Sequence, residues 1–458
     1  VQTCALPILS IAPVAGPKKM WVADFGNNRV LRYSLPSTIA DLVLGQPGFQ
    51  SVARNRNGPA TGATMAQPYG VSSDGTRVAV TDLLNNRVLL WLNTPSIGQA
   101  ADVVLGQPDD SSTMPNSPPN RTEFQYVAPV GVATDGTHFA IADSLNHRVL
   151  LWKKIPQSNA TPPDLILGQP NGSESLANQG QPNPSASTFN NPTSVSFDEG
   201  HMVVADALNN RVLIWDQIPQ SSPAPADHVV GQVNFTTGTL RMASLGGLSQ
   251  PQGAVLSKGV LYVADFGNHR VLVYNNPFTA TAPAVDVILG QPNLATTVPN
   301  YLGQSAKSLF TPRSLAVDND KLLVVDRGNH RVLIWNQLPT TTLAAADVVV
   351  GQTDFVSSYT STDRSRLSVP RNAFVYKGRL YVSDSSQNRI LYWNTIPTTN
   401  GRRADGVLGQ GDFLSTFPNN PDVPPIEKLS GPVAMAAAED QLFIADSFNH
   451  RVVARSIP

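Results

Sequence analysis

An aspartate, an asparagine, a histidine and an arginine lie within six consecutive positions at Asp265, Asn268, His269 and Arg270. A carboxylate, an imidazole and a guanidinium this close together could transfer protons, hold a metal ion or bind a phosphate. The same phrase, D-x-x-[NQ]-[NH]-R-[VI], occurs eight times in the chain, with its aspartates at Asp24, Asp82, Asp143, Asp206, Asp265, Asp326, Asp384 and Asp446. A catalytic site needs one special constellation, whereas near-identical copies meet one local requirement repeatedly, so we interpret the phrase as structural.

We expect each phrase to form the turn between two strands. The aspartate would accept backbone N–H bonds of the turn, the asparagine three residues later would take the left-handed conformation, and the arginine would pair with the aspartate through a bond that can be bidentate. In the seventh unit Gln387 replaces the asparagine, which predicts a looser turn. The residues of this predicted turn network are Asp82, Asn85, Arg87, Asp143, Asn146, Arg148, Asp206, Asn209, Arg211, Asp265, Asn268, Arg270, Asp326, Asn329, Arg331, Asp384, Arg389, Asp446, Asn449 and Arg451.

The histidines of the phrase argue against a metal site. They exchange with asparagine at one position, which is occupied by His147, His269, His330 and His450 in four units and by Asn28, Asn86, Asn210 and Asn388 in the others. A metal site would not tolerate that exchange. We therefore predict no metal, no cofactor and no catalytic residue in these turns.

The spacing of the phrases fixes one structural unit. Successive aspartates are 58 to 63 positions apart, a proline stands fourteen residues before the aspartate in seven units, and a Gly-Gln pair follows in seven units. In the third unit, residues 130–134, 139–143, 148–152 and 164–168 are short apolar runs that predict four strands. These runs are apolar on both sides, so neighbouring sheets must cover both faces. A ring of four-stranded antiparallel sheets does so, and the sequence predicts an all-β propeller, most simply of eight blades, with six or seven as alternatives.

The combination P-x-x-[VA]…[VI]-[AVST]-D-x-x-N-[HN]-R-V resembles the NHL repeat, a β-propeller family, over residues 9–458. Members of that family are commonly six-bladed, whereas this chain has eight phrases. The resemblance implies a single propeller and a role in binding. It also leaves open a ring-centre lyase or metal-dependent hydrolase, since related propellers include such enzymes.

The two ends of the chain bear on ring closure. Residues 1–8, VQTCALPI, resemble the translation of a sequencing adaptor, so we interpret them as non-native and residues 9–458 as the propeller. The eighth unit ends without its fourth strand. We expect a strand from before Leu9 to complete the last blade, and closure without it is in doubt.

The amino-acid composition argues against some classes of binding partner. The net charge is -1 and 14% of residues are charged, which argues against nucleic acid. No run approaches the roughly 18 apolar residues of a membrane span. Loops rich in Asn, Ser, Thr and Pro and a single cysteine, Cys4, favour an extracellular or cell-envelope bacterial protein, with the cytoplasm as the alternative.

The face that carries the Asp turns and the long loops is the candidate binding face. Two arginines follow the marker proline in adjacent units, Arg313 and Arg371, and Arg327 stands in the sixth turn. Together they could hold a carboxylate or phosphate; the alternative is that they are scattered on a polar rim. We expect a non-catalytic, monomeric ring that recognises a protein, peptide or glycan through this face.

Overall fold

The structure is a computed structural model, which describes residues 8–13, 19–34, 40–115, 122, 124–159, 161–198, 200–222, 224–238, 247–250, 252–277, 280–422, 428–438, 441–449 and 451–457. The segment interpreted as non-native therefore lies outside the described residues, except for Ile8. His450 lies outside them too. Of Arg451 the structure describes the backbone only.

Antiparallel sheets follow one another along the chain, and we number them as blades 1 to 8. The second strand of every blade ends at the aspartate of the repeat, and the first strand begins at the marker proline in blades 2, 3, 4, 6, 7 and 8. The strands of blades 1 to 4 are β1 (Ile8–Pro13), β2 (Lys19–Asp24), β3 (Arg29–Ser34) and β4 (Leu42–Leu44); β5 (Pro68–Ser73), β6 (Val78–Asp82), β7 (Arg87–Trp91) and β8 (Val103–Leu105); β9 (Pro129–Thr134), β10 (Phe139–Asp143), β11 (Arg148–Trp152) and β12 (Leu165–Leu167); and β13 (Pro192–Asp198), β14 (His201–Asp206), β15 (Arg211–Trp215) and β16 (His228–Val230).

Blades 5 to 8 repeat this arrangement, and the last blade has three strands in the described part of the chain. Their strands are β17 (Gly253–Ser257), β18 (Val260–Asp265), β19 (Arg270–Tyr274) and β20 (Val287–Leu289); β21 (Pro312–Asp318), β22 (Lys321–Asp326), β23 (Arg331–Trp335) and β24 (Val348–Val350); β25 (Pro370–Tyr376), β26 (Arg379–Asp384), β27 (Arg389–Trp393) and β28 (Gly406–Leu408); and β29 (Pro432–Ala438), β30 (Gln441–Asp446) and β31 (Arg451–Ser456).

Helical structure in the described residues is limited to short 3-10 turns. One turn joins the second and third strands of every blade: Phe25–Asn27, Leu83–Asn85, Ser144–Asn146, Ala207–Asn209, Phe266–Asn268, Arg327–Asn329, Ser385–Gln387 and Ser447–Asn449. Two more, Arg54–Asn57 and Ala177–Gly180, lie in loops. Within the same residues, no helix has the length and apolar character needed to cross a membrane.

The core lies between the blades. Each of the eight hydrophobic clusters joins one pair of neighbouring blades, so every blade contributes to two of them. In β22, Leu322 and Val324 pack towards blade 5, whereas Leu323 and Val325 pack towards blade 7. This alternation explains why the strands are apolar on both sides, because successive side chains of a strand point to opposite faces of its sheet. The prediction of an eight-bladed, all-β propeller is confirmed.

The ring closes between blade 8 and blade 1. In the described part of the chain, the three strands of blade 8 pack directly against blade 1, with Phe443 and Val452 in one cluster with Met20, Val22 and Tyr33. The rings of Tyr33 and Phe443 meet edge to face, with 6.4 Å between their centroids. Burial of apolar faces therefore joins the two blades and closes the ring, whereas the strand that we expected from before Leu9 lies outside the described residues, except for Ile8.

Large aromatic side chains end most third strands and are buried at these interfaces. Trp91, Trp152 and Trp393 are at most 1% exposed. Each indole also donates its N–H to a carbonyl of the loop that leads to the fourth strand, at Gln99, Thr161 and Arg402 respectively. These residues therefore combine apolar packing between sheets with a hydrogen bond that holds the outer loop.

Candidate functional site

The turn network is clearest in blade 2. Asp82 accepts three hydrogen bonds: from the backbone N–H of Ala66 (2.6 Å) to Oδ1, and from Asn85 Nδ2 (2.8 Å) and Arg87 Nε (2.7 Å) to Oδ2. The side chains of Asp82 and Arg87 are completely buried. A buried charge is tolerated when it is paired and hydrogen-bonded, and this pair meets both conditions.

Two details of the predicted turn were wrong. The backbone N–H that Asp82 accepts comes from Ala66, at the entry to the first strand sixteen residues upstream, and not from the turn. The contact between Arg87 and Asp82 uses Nε alone. The two terminal nitrogens of Arg87 donate instead to carbonyls of the loops on either side of the blade, at Asp110 (2.6 Å) and at Thr61 and Thr64 (both 2.9 Å). The arginine is drawn away from bidentate pairing because the unpaired loop carbonyls also need donors.

The same contacts recur around the ring. In blades 3 to 7 an arginine Nε lies 2.7–2.8 Å from the aspartate Oδ2, in the pairs Arg148–Asp143, Arg211–Asp206, Arg270–Asp265, Arg331–Asp326 and Arg389–Asp384. Blade 1 has the equivalent pair Arg29–Asp24 at 2.6 Å. The asparagine donates to the aspartate in six further blades, in the pairs Asn27–Asp24, Asn146–Asp143, Asn209–Asp206, Asn268–Asp265, Asn329–Asp326 and Asn449–Asp446.

The left-handed residue of the turn is the fourth after the aspartate, not the third as predicted. Asn86, His147 and His330 have φ values of 52°, 53° and 56°. The three preceding residues form the 3-10 turn, so the chain reverses into the next strand at the fourth. Asparagine is among the residues that tolerate this conformation, and histidine is enriched there as well.

The exchange of asparagine and histidine has a geometric reason. Asn86 Oδ1 accepts the backbone N–H of Ala128 at 3.0 Å, and His147 Nδ1 accepts that of Asn191 at 2.9 Å. Each donor is the residue before the marker proline of the next blade. The two side chains therefore present an acceptor to the same neighbour and connect one blade to the next.

Histidine can accept this bond only when Nδ1 carries no proton. Nδ1 of His269 accepts the N–H of Thr311, and Nδ1 of His330 accepts that of Val369. Burial lowers the pKa of His147, His269 and His330. The fold therefore favours neutral imidazoles at these positions.

Blade 7 lacks one bond of the network. Its backbone turn has the same form, with Asn388 at φ 52° and its N–H 3.1 Å from the carbonyl of Ser385, so the expected loosening is absent from the backbone. What changes is the carboxylate of Asp384, which accepts from Ser368 and Arg389 but has no asparagine donor. Burial raises the pKa of Asp384 to about 6.

The Gly-Gln pairs complete this face. Their glycines have φ values of +83° to +96°, a backbone conformation that favours glycine. Gln107 Nε2 donates to the carbonyls of Asn86 (2.9 Å) in the turn and Met114 (3.0 Å) in the following loop. The Asp turns and the loops after the fourth strands therefore lie on one side of the ring, which we call the loop face.

The first strands approach one another at the ring centre, and the residue after the marker proline is placed there. In β25 the pairing register shifts between Pro370 and Asn372, so Arg371 is a bulge residue, and bulges redirect side chains. In blades 2, 3 and 4 the equivalent residues Tyr69, Val130 and Thr193 line a cavity of 310 Å³.

The three predicted ligand-binding arginines occupy two adjacent blades. Arg313 and Arg371 follow the marker prolines of blades 6 and 7, and Arg327 begins the 3-10 turn of blade 6. All three are half-buried. Burial and the nearby positive charge of Arg371 lower the pKa of Arg327. The backbone carbonyl oxygen of Arg313 lies close to Gly253 of blade 5.

Large exposed apolar side chains on the loop face were not predicted. Leu84, Leu145, Leu208 and Phe448 occupy the second position after the aspartate and are 39–68% exposed. Five more occupy the eighth position after the glycine of the Gly-Gln pair and are 57–70% exposed: Met114, Leu176, Val298, Tyr359 and Phe417. We call these nine the loop-face hydrophobic residues. Their repetition at fixed offsets from the landmarks was the sequence signal that could have revealed them.

Candidate metal ligands are dispersed. Within the described ranges, no three His, Cys, Asp or Glu side chains are close enough to hold a metal ion together. The histidines of the turns bond to backbone N–H groups of the next blade instead.

The closed ring of antiparallel blades defines the class of the protein as a β-propeller. The sequence model of the NHL repeat matches residues 248–274 and 311–335, so the chain is a propeller that carries NHL repeats. No curated protein matches the sequence.

Solved structures show the same fold at low identity. A computationally designed protein, Ika8, has a TM-score of 0.51 and 9% identity, and covers 100% of this chain and 98% of its own. BamB from Moraxella catarrhalis has a TM-score of 0.50 and 12% identity over 97% and 95% of the two chains. Sqt1 from Saccharomyces cerevisiae has a TM-score of 0.51 and 11% identity over 99% and 97%. At these identities the likeness concerns the fold alone.

Proposed function

We propose that this protein is a non-catalytic binding propeller that recognises a segment of another protein through its loop face. The observation that carries the proposal is the set of loop-face hydrophobic residues. Exposed apolar side chains that recur at fixed positions on one face are typical of interaction surfaces, whereas single ones scattered over a surface need no explanation.

The turn network supports a binding role because it makes the face rigid. The side chain of Arg331 joins the loops on both sides of blade 6. It donates to the carbonyl of Phe355 in one loop and to the carbonyls of Ser305 and Ser308 in the other. A binding loop that is already held in place loses little conformational entropy when a partner docks. The aspartates and arginines of the network thus support the surface and leave contact with the partner to neighbouring side chains.

A protein segment fits this surface better than a glycan. Leu84, Leu145 and Leu208 stand at the same position of three consecutive blades, and Met114 and Leu176 follow in the loops of two of these blades. Aliphatic side chains bury well against the apolar side chains of a peptide, whereas sugar recognition relies on hydrogen bonding and flat aromatic faces. The proposal therefore commits to a protein partner.

The test combines crosslinking with substitution. A photo-crosslinking amino acid placed at Leu145 should capture a partner protein in the source cells, and the same group at Ile97, which is 49% exposed on a loop between the third and fourth strands, should not. The purified partner should then bind Leu84→Ser/Leu145→Ser/Leu208→Ser at least about tenfold more weakly, a loss of about 1.4 kcal/mol.

The matched control is Ile97→Ser, which also removes an exposed apolar side chain and should bind as tightly as the original protein. Serine is native to the substituted position in blade 7, at Ser386, so the triple variant should fold. Unchanged partner binding by the triple variant, or a carbohydrate as the captured molecule, would show that the proposal is wrong.

A further inference from the structure

Two arginines on adjacent blades lie next to each other at the ring centre. The first residue of each Asp turn neighbours the start of the next blade, as Phe25 and Tyr69 show with 6.3 Å between their ring centroids, and as Ser144 shows by donating to the carbonyl of Pro192. The same relation places Arg327, of the turn in blade 6, beside Arg371, the bulge residue of blade 7.

The charge of Arg371 contributes to the pKa shift of Arg327. Burial, and then the positive charge of Arg371, lower the pKa of Arg327. Arg327 in turn contributes to the lowered pKa of His330. No carboxylate is among the groups that shift Arg327.

Both side chains have a donor without a partner. The Nε atoms of Arg327 and Arg371 are buried, and neither has a hydrogen-bond partner among the residues that the structure describes. A buried donor that lacks a partner lowers stability, and so does a pair of like charges close together. Such an arrangement is understandable where a ligand supplies the missing acceptors.

The neighbouring carboxylates do not meet this need. Asp326 accepts from Phe310, Asn329 and Arg331. Asp384 accepts from Ser368 and Arg389. Both are completely buried on the network side of the turn. These two carboxylates therefore leave the Nε donors of Arg327 and Arg371 without an acceptor.

We propose that Arg327 and Arg371 form an anion-binding subsite that takes a carboxylate of the bound protein segment. A guanidinium presents parallel N–H donors that match the two oxygens of a carboxylate. The loop-face hydrophobic residues Tyr359 and Val298, in loops of blades 6 and 5, are 70% and 58% exposed and offer apolar contacts on the same face. The inference rests on the proposed function only for the source of the carboxylate, and the subsite itself can be tested without any partner.

Other blades supply the substitutions for the test. The position of Arg327 is serine in blades 3, 7 and 8, and the position of Arg371 is valine in blades 3 and 8. The double variant Arg327→Ser/Arg371→Val therefore uses residues that this fold already accommodates. The matched control is Arg54→Ser, which removes an exposed arginine from the loop between blades 1 and 2.

The probes are succinate and inorganic phosphate, each titrated at constant ionic strength while the arginine Nε–H signals are followed by NMR. Succinate should shift the Arg327 and Arg371 signals saturably in the original protein and in Arg54→Ser. Its affinity should fall at least about tenfold in the double variant. Absence of a saturable shift with succinate would overturn the proposal, and saturation by phosphate alone would replace the carboxylate with a phosphoryl group.

Thermal unfolding gives a second readout. Without ligand, the double variant should melt at a higher temperature than the original protein, because it loses two close positive charges that pair with no carboxylate among the described residues. A lower melting temperature would show that the two arginines hold the fold together and would contradict the subsite. The two proposals can fail separately. If succinate binds as expected but Leu84→Ser/Leu145→Ser/Leu208→Ser binds the partner as tightly as the original protein, the subsite stands and only the proposed function is refuted.

Discussion

Arg331 and Arg327 lie four residues apart on blade 6 and have opposite surroundings. Arg331 is completely buried, pairs with Asp326 at 2.7 Å and donates to three loop carbonyls. Arg327 is half-buried, occurs at this position in one blade only, and has a buried Nε without a partner in the described residues. A residue that recurs in every blade meets a need of the fold, whereas a residue that breaks the repeat without finding a partner is a candidate for binding.

The largest effect should follow removal of the repeated arginine. Arg331→Met leaves the carboxylate of Asp326 buried without its charged partner, so we expect the free energy of unfolding to fall by about 3–5 kcal/mol. Urea denaturation followed by tryptophan fluorescence measures the change. If Arg331→Met lowered the free energy of unfolding by less than the loss of an exposed ion pair does, the distinction between Arg331 and Arg327 would not hold.

The exposed ion pair between Lys258 and Asp320 provides the reference. Its atoms lie 2.9 Å apart, but the two side chains are 63% and 73% exposed. Water and salt screen such a pair, so Lys258→Met should cost no more than about 1 kcal/mol. Arg331 and Lys258 thus compare a buried ion pair with an exposed one.

A smaller effect should follow acidification. His147, His269 and His330 accept backbone N–H bonds through Nδ1, and their folded-state pKa values lie below the unfolded value of 6.5. Their neutral forms are thus favoured by folding, so stability is complete above pH 6.5 and declines as the pH falls towards the folded-state pKa. At pH 6 the decline is at most about 0.8 kcal/mol for each histidine.

The variant His147→Asn/His269→Asn/His330→Asn tests the origin of this pH dependence. Asparagine occupies the same position in blades 1, 2, 4 and 7. In blades 1, 2 and 7 it accepts the equivalent bond, and it does not titrate in this range. Melting temperatures measured at pH 8 and pH 6 should differ less in the variant than in the original protein. An equal difference would assign the pH dependence to other groups.

The smallest effect should follow completion of the network in blade 7. Gln387→Asn adds a donor for the carboxylate of Asp384, so it should lower the pKa of that group and stabilise the fold by about 1 kcal/mol at pH 8. The gain should be lost as the pH falls through the present value of about 6, because the protonated acid no longer needs the donor. Melting curves at pH 8 and pH 5 would show this loss. Equal gains at both pH values would mean that the substitution acts through packing.

Much of the fold could be predicted because each blade repeats one set of local rules. The predicted strand at residues 148–152 has the observed bounds Arg148–Trp152, and each aspartate ends a second strand as expected. The partners of Asp82 could not be predicted, because Ala66 is distant in sequence and becomes adjacent only when the first and second strands pair. The left-handed residue was misplaced by one position because several turn types fit the same letters.

The candidate site was predicted less completely. The sequence drew attention to Arg313, Arg327 and Arg371 as departures from the repeat, but the association of Arg327 with Arg371 depends on how the turn of one blade meets the next. The loop-face hydrophobic residues were missed, since an exposed leucine and a buried one look alike in a sequence that is apolar on both strand faces.

The amino-acid sequence by itself determined the repeat, the strands and the number of blades, because these depend on spacing and on the alternation of apolar side chains within each unit. The contacts between units were decided only in the tertiary structure. There the face of blade 8 closes on blade 1, the histidines accept bonds from the next blade, and two arginines of adjacent blades lie together. The physical reason is that hydrogen bonds and charges act over a few ångströms in space, whereas the residues that they join between blades are 39 to 44 positions apart along the chain.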